Sequence, residues 1–233
     1  MQLTVKEAAA VLRVSEKTIY RWVKESKIPN YRVNEQYRFN RAELLEWATS
    51  QKVAVSADIY REDDTEGLVG LEEALRSGGI YYRIGGTDKE SVLRSVVEVM
   101  HLPEEVDRQF LLQVLLARES LGSTGIGEGV AIPHVRNPIV MHIPRPTITL
   151  CFLETPIDFA AIDGKPVHIL FTIVSPTIRG HLHLLSKLAF GLRDPGLSAA
   201  LARQAGREDI LQAVQRVEAL MAQQDKESRQ VAG

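Results

Sequence analysis

Apolar positions in the N-terminal stretch recur at helical spacing. Val5, Ala8, Ala9 and Leu12 form one set, and Thr4 with Glu7 three residues later is a capping box that opens a helix on it. Val14-Ser15 interrupts the set, and Ser15 caps a second helix over 16–24. On that helix Ile19, Trp22 and Val23 lie to one side, and Lys17, Thr18 and Arg21 to another. Pro29 closes it. Tyr31-Arg32-Val33 and Tyr37-Arg38-Phe39 read as short strands around the polar turn Asn34-Glu35-Gln36. Asn40 begins a third helix with Leu44, Leu45, Trp47 and Ala48 as its apolar face. A helix pair, a hairpin wing and a closing helix predict a small winged helix-turn-helix over 1–51. In that motif the second helix enters the major groove. Lys17, Thr18 and Arg21 are therefore candidate base contacts, Lys24 and Lys27 candidate phosphate contacts, and Arg32 on the wing completes the DNA-binding set. Use of the motif for protein contacts alone is the competing reading.

From Leu68 the periods mix. A short helix over 71–75 is broken by Gly78-Gly79, and 80–84 reads as a strand. Helical patterns follow over 88–101 and, after Pro103, over 104–121. The continuous apolar runs 147–153 and 167–174 have the character of strands buried on both faces. Helices over 181–192, 197–204 and 207–221 end the domain, with a polar tail over 223–233. Buried strands between helices predict an α/β domain, a mixed sheet flanked by helices, over 68–222.

Composition narrows the class. The chain has 233 residues and a net charge of −2. Its apolar runs are too short for a bilayer span of about 20 residues. Met1 to Glu7 lacks the basic and apolar regions of a signal peptide. A cytoplasmic protein is expected, and the lone Cys151 excludes an internal disulfide and reads as an inert core residue. The charge is unevenly spread: +4 over 1–52, −6 over 53–75 and zero beyond. An acidic linker over 52–67 is expected between a basic head and a neutral body, and it offers an electrostatic latch for the head. A solvated loop within one domain is the alternative.

The richest stretch is Arg118-Glu119-Ser120-Leu121-Gly122-Ser123-Thr124-Gly125-Ile126-Gly127-Glu128-Gly129-Val130-Ala131-Ile132-Pro133-His134. Its alternating glycines are not helix interior. They lack the preceding strand of a dinucleotide fingerprint and the Gly-Lys-Ser/Thr of a phosphate loop. Pro133 fixes the backbone before His134, whose neutral imidazole is a competent nucleophile near neutral pH. A structural histidine is the bland alternative.

Two resemblances sharpen this reading. Leu3-Thr4-Val5-Lys6-Glu7-Ala8-Ala9, Val14 through Trp22, Ile28-Pro29 and Tyr37-Arg38-Phe39 resemble excisionase-like winged helix-turn-helix domains related to the MerR family. The wing departs from that pattern, since Asn34-Glu35-Gln36 carries no base at its tip and weakens the expected phosphate contact. Residues 68–222 resemble the enzyme IIA domain of the bacterial phosphotransferase system, of the fructose/mannitol type and nearest its nitrogen-regulatory branch. The matching strings include Arg118-Glu119, Gly122 through Gly127, Ala131 through His134, Leu153 through Ile157, Ala161 through Val167 and His181 through Ala189.

The resemblance implies that His134 takes a phosphoryl group from a histidine-containing phosphocarrier protein. His181 would bond the imidazole or phosphoryl oxygens, and Arg118 would offset their charge. Ser123, Thr124 and Gly125 would line the phosphate site. His183 is expected to be structural, and His101, His142 and His168 have no motif. No cofactor and no metal are expected. Val135 departs from the family, which usually has Gly there, and a bulkier neighbour could alter donor docking. The functions implied are a phosphorylation-controlled DNA-binding regulator or, alternatively, a sugar-uptake phosphocarrier with a head that binds no DNA. A homodimer would suit a palindromic DNA site.

Overall fold

A computed structural model describes residues 2–33, 36–51, 53, 68–135 and 143–231. The chain divides into two compact units, 1–66 and 67–233. The expected linker, apart from Val53, lies outside the described residues, as does His142.

The head contains β1 (Gln2–Leu3), α1 (Val5–Val11), α2 (Glu16–Lys24), β2 (Tyr31–Val33), β3 (Gln36–Asn40) and α3 (Arg41–Ser50). The capping box forms as expected: the Glu7 amide donates to Thr4 Oγ1 (3.3 Å) and the Thr4 amide to Glu7 Oε2 (2.7 Å). Ser15 Oγ caps α2 by accepting from the Thr18 amide at 3.2 Å. Between the helices Arg13 takes a left-handed conformation, φ 50°, which makes the tight turn. β2 and β3 pair antiparallel as the wing. β1 is too short to leave a period in the sequence; it pairs with β3 and brings Leu3 opposite Phe39, both buried. Trp22 and Trp47 meet edge-on at 5.2 Å and join α2 to α3.

The body contains α4 (Leu71–Gly78), β4 (Ile80–Ile84), α5 (Lys89–Val99), α6 (Arg108–Ser120), β5 (Gly125–Gly127), β6 (Val130–Ala131), β7 (Thr147–Ile157), β8 (Val167–Val174), α7 (Ile178–Gly191), α8 (Pro195–Ala202) and α9 (Arg207–Val231). The sheet runs β4-β7-β8-β6-β5. It is mixed: β4 with β7 and β6 with β8 are parallel, while β7 with β8 and β5 with β6 are antiparallel. Alternate residues serve two cores. Leu150, Phe152, Ile169, Phe171 and Ile173 pack with α4, α7, α8 and α9. Cys151, Leu153, Leu170 and Val174 pack with α5 and α6. Burial pushes the Cys151 thiol up to about 12, so it is an inert core group.

Several helix boundaries differ from the sequence expectation, among them those of α6, α7 and α9. α6 starts at Arg108, because Asp107 caps it by accepting from the Phe110 amide at 2.9 Å. Arg108 itself reaches back to carbonyls at the end of α5, among them Met100 at 3.0 Å. α7 starts at Ile178, where Thr177 caps it. α9 runs into the expected polar tail as far as Val231, since 223–231 hold no glycine or proline. α9 also serves α4 from far along the chain. Gly70 offers α4 no side-chain cap, so Glu218 accepts from the Leu71 amide (2.7 Å) and the Glu72 amide (3.2 Å) while paired with Lys187 (2.9 Å). Burial raises the Glu218 carboxyl pKa, but Lys187 and those amides outweigh it and hold the pKa below its ordinary value.

Gly78 marks where α4 lies directly on the sheet. A Cβ there would sit 2.2 Å from the Ile148 carbonyl oxygen, and Thr149 Oγ1 donates to the Gly78 carbonyl at 3.1 Å. Gly→Ala in an open helix stabilises by about 0.5–1 kcal/mol. Gly78→Ala is expected to do the opposite and destabilise the body by about 2 kcal/mol. Urea unfolding checks this, and an unchanged or raised midpoint would refute it.

Candidate active site

His134 sits where β6 runs out. The Thr124 carbonyl accepts from the Ile132 amide at 3.0 Å, and the Pro133 carbonyl accepts from the Ile173 amide at 2.9 Å. His134 then bridges Ile173 in parallel register and is 3% exposed. The preceding hairpin needs its glycines. Glu128 (φ 54°) and Gly129 (φ 73°) form a two-residue turn with both φ positive, which suits a tight hairpin. The Asp163 carboxylate braces it by accepting from the Glu128 amide at 2.8 Å.

Two hydrogen bonds define the imidazole. Nδ1 lies 2.8 Å from the Ile132 carbonyl oxygen, which can only accept. Nε2 lies 3.2 Å from Arg118 Nε, which can only donate. Nδ1 therefore carries the proton, and the lone pair is on Nε2, facing the guanidinium. Arg118 is anchored in turn, since its Nη1 donates to the Gly122 carbonyl at 2.9 Å.

His181 lies in the first turns of α7, with its ring 5.0 Å from that of His134. Burial first, then His134 and Arg118, push its pKa from 6.5 down to about 3. It is held neutral, and its Nδ1 has no hydrogen-bond partner among the described residues. His183 does not join this group. Burial, then Lys187, lowers its pKa to about 4. His101 meets Tyr81 edge-on, and His168 lies over Gly129.

The expected phosphate-lining residues are engaged with protein groups. Ser123 Oγ donates to the Phe159 carbonyl and accepts from the Gly125 amide at 3.0 Å. The Thr124 amide and hydroxyl both turn to Glu119, the hydroxyl at 2.7 Å from Oε2. Glu119 is 7% exposed and also holds Lys89 Nζ at 3.1 Å. In the sequence Glu119 stands out only as half of the Arg118-Glu119 string, and Lys89 not at all. Val135 is 2% exposed and packs in the core with α5 and α6, so its bulk is directed inward.

On the head, Lys17, Arg21 and Lys24 are exposed along α2. Thr18 is half-buried, and its hydroxyl shares a 2.9 Å hydrogen bond with Ser15, which makes it part of the cap. Lys27 pairs with Glu25 at 2.7 Å. The Arg32 backbone lies in β2 opposite Tyr37, and its side chain is outside the described residues. Tyr20, not singled out from sequence, is 51% exposed among these cations and meets Tyr37 edge-on.

Fold and site together define an α/β protein with a histidine–arginine centre that presents one imidazole nitrogen. The chain belongs to the family of the phosphoenolpyruvate-dependent sugar phosphotransferase system, EIIA 2, whose sequence model matches residues 74–217. A helix-turn-helix domain model matches residues 3–52. The chain is similar to the "Nitrogen regulatory protein" of Pseudomonas aeruginosa, 37% identical over 126 residues that cover 52% of this chain and 79% of that one. It is similar to the protein of the same name in Escherichia coli, 34% identical over 134 residues covering 57% and 81%. The crystal structure of nitrogen regulatory protein IIA-Ntr from Neisseria meningitidis aligns with a TM-score of 0.52 at 28% identity, over 63% of this chain and 96% of that one. No helix among the described residues is long and apolar enough to cross a membrane.

The depressed His181 pKa has a consequence for stability. Below about pH 6.5 the unfolded chain takes up a proton that the folded site refuses until about pH 3. The contribution is complete above the unfolded pKa and falls as acid is added. At about pH 5 the loss from this residue is about 2 kcal/mol. His181→Gln is expected to lose about 2 kcal/mol less than the parent chain between about pH 7 and about pH 5 in urea unfolding. Equal losses would refute the assignment.

Proposed function

We propose that this is a nitrogen-regulatory-type IIA protein that accepts a phosphoryl group on His134 Nε2 from a histidine-containing phosphocarrier protein. A DNA-binding head would couple that event to regulation. The observation carrying the reading is the pair of hydrogen bonds that leaves the lone pair on Nε2 and points it at Arg118. As Nε2 bonds to phosphorus, the carrier's phosphorus–nitrogen bond breaks and its electron pair returns to the carrier imidazole. Arg118 Nε–H, released from Nε2, turns to the transferring oxygens and offsets their charge. The proton stays on Nδ1, where the Ile132 carbonyl stabilises the charge left on the ring. His181, neutral and adjacent, supplies an N–H to the same oxygens.

An apolar collar supports docking of a protein donor. Leu121 (72% exposed) follows α6, Ile178 (46%) opens α7, and Ile162 (50%) lies against Gly125. The names of the relatives support the nitrogen-regulatory branch. For the head, exposed Lys17, Arg21 and Lys24 on the second helix of a helix-turn-helix support DNA contact. A phosphoryl group on His134 would add roughly two negative charges for the regulation to read.

Incubation with phosphoenolpyruvate and the general phosphotransferase proteins is expected to give an acid-labile phosphate. His134→Ala abolishes it, and Arg118→Ala slows it by about 100-fold or more. Labelling of His134→Ala at the parent rate would refute the acceptor assignment. Gel shifts over a salt series test the head. Binding should weaken as salt rises, and Lys24→Ala should reduce the log–log slope by about 1. Absence of binding at low salt, or binding indifferent to Lys17→Ala and Arg21→Ala, would refute it.

A further inference from the structure

Arg118 and Glu119 are neighbours in the last turn of α6 and do opposite things. Arg118 reaches His134 Nε2, whereas the Glu119 carboxylate turns inward and is almost fully buried. A buried carboxylate costs several kcal/mol unless it is paired and hydrogen-bonded. This one is satisfied from two directions. Lys89 Nζ, from the start of α5, lies 3.1 Å from Oε1, and the Thr124 amide and hydroxyl fill the remaining acceptor sites. Lys89 is itself held over the Phe159 ring, 5.1 Å from its centroid.

The bonds continue toward the nucleophile. Glu119 fixes Thr124; the Thr124 carbonyl accepts from the Ile132 amide; the Ile132 carbonyl accepts from His134 Nδ1. A carboxylate on the helix that carries Arg118 is thus linked, through one residue of the hairpin, to the carbonyl that selects the His134 tautomer. We infer that Glu119, with Lys89 as its counter-charge, is a positioning residue that holds His134 with the proton on Nδ1 and the Nε2 lone pair facing Arg118. It does not touch the reacting atoms.

The geometry explains why a charged acceptor stands here. Thr124 presents two donors at once, and Lys89 a third. A neutral amide has one oxygen, so a glutamine would set its NH2 against a donor. Thr124 would then shift, and with it the strand that carries Ile132. Displacements well under 1 Å at a reacting nitrogen are costly in rate. The inference rests on His134 being the phosphoryl acceptor, but its first readout does not.

The test uses the unphosphorylated full chain labelled with 15N, with the His134 ring nitrogens assigned by comparison with His134→Ala. The parent chain should show a protonated-type Nδ1 and an unprotonated-type Nε2. In Glu119→Gln the two signals should move toward averaged values, and the rate of labelling should fall by about 10-fold to 100-fold, as when a supporting hydrogen-bond partner is removed. Glu119→Asp, which keeps the charge, should recover part of both. Thr124→Val removes only the hydroxyl donor and should give a smaller shift in the same direction, which keeps the test readable if Glu119→Gln does not fold. Folded Glu119→Gln or Thr124→Val with parent ring-nitrogen signals would overturn the inference, whatever the labelling rate. Parent signals as expected with no phosphate on His134 would instead refute the phosphoryl reading and leave the positioning intact.

Discussion

The antiparallel pairing of β7 with β8 carries the body, because over 147–152 and 169–174 both strands bury both of their faces. Leu150 pairs with Phe171 and Cys151 with Leu170, so successive pairs feed opposite cores. A slip of one residue would exchange the contents of the two cores, which pack against different helices. The register is therefore tightly specified. β8 passes that precision on: β6 pairs in parallel with it through Val130–Ile169 and Ala131–Leu170, and His134 meets Ile173 further along the same strand. His134 is therefore placed against a strand that is paired on both of its edges. The parallel pairing matters because it brings β6 to the sheet without a long strand of its own.

Around that fixed point the protein uses neutral and charged groups differently. His181 is buried and kept neutral, so it adds a donor without repelling Arg118. Glu119 is buried and charged, and this is tolerated because Lys89 and Thr124 meet it at hydrogen-bond distance. In a low-dielectric interior an unpaired group of either kind would be costly. Arg118 faces the imidazole lone pair, so an incoming phosphoryl group would meet a cation there.

Long apolar runs made β7 and β8 legible, and cap residues made α1 and α2 legible, because both signals are local. The β5–β6 hairpin was not read as strands: its segments are too short for a period, and its glycines read only as a loop. The starts of α6 and α7 were misplaced where Asp107 and Thr177, ordinary residues in isolation, became caps. At the site, the resemblance to enzyme IIA domains implied the grouping of His134, His181 and Arg118, and the geometry brings them together in space. The hydroxyls were harder. Ser123 turns to a carbonyl 36 residues away and Thr124 to a carboxylate five residues back, and adjacency in sequence carries no information on which partner a short side chain selects. Val135 was a departure whose meaning depended on direction, and it points into the core.

Screening would constrain any coupling of the proposed phosphoryl site to the proposed DNA-binding head. A phosphoryl group on His134 would bring about two charges to a buried point. At physiological salt its direct field fades over a Debye length of about 8 Å. The cations on α2 are solvent-exposed, where screening is fullest. Regulation by field alone would thus require the phosphoryl group to approach the α2 face within about that distance. At any greater separation the proposed regulation would need an element with two arrangements, whose balance both the phosphoryl group and DNA would bias. Leu121, Ile162 and Ile178 instead offer exposed apolar surface to a partner protein. A donor protein and any second partner would compete for the same residues, and the phosphoryl charge at its centre would discriminate between them.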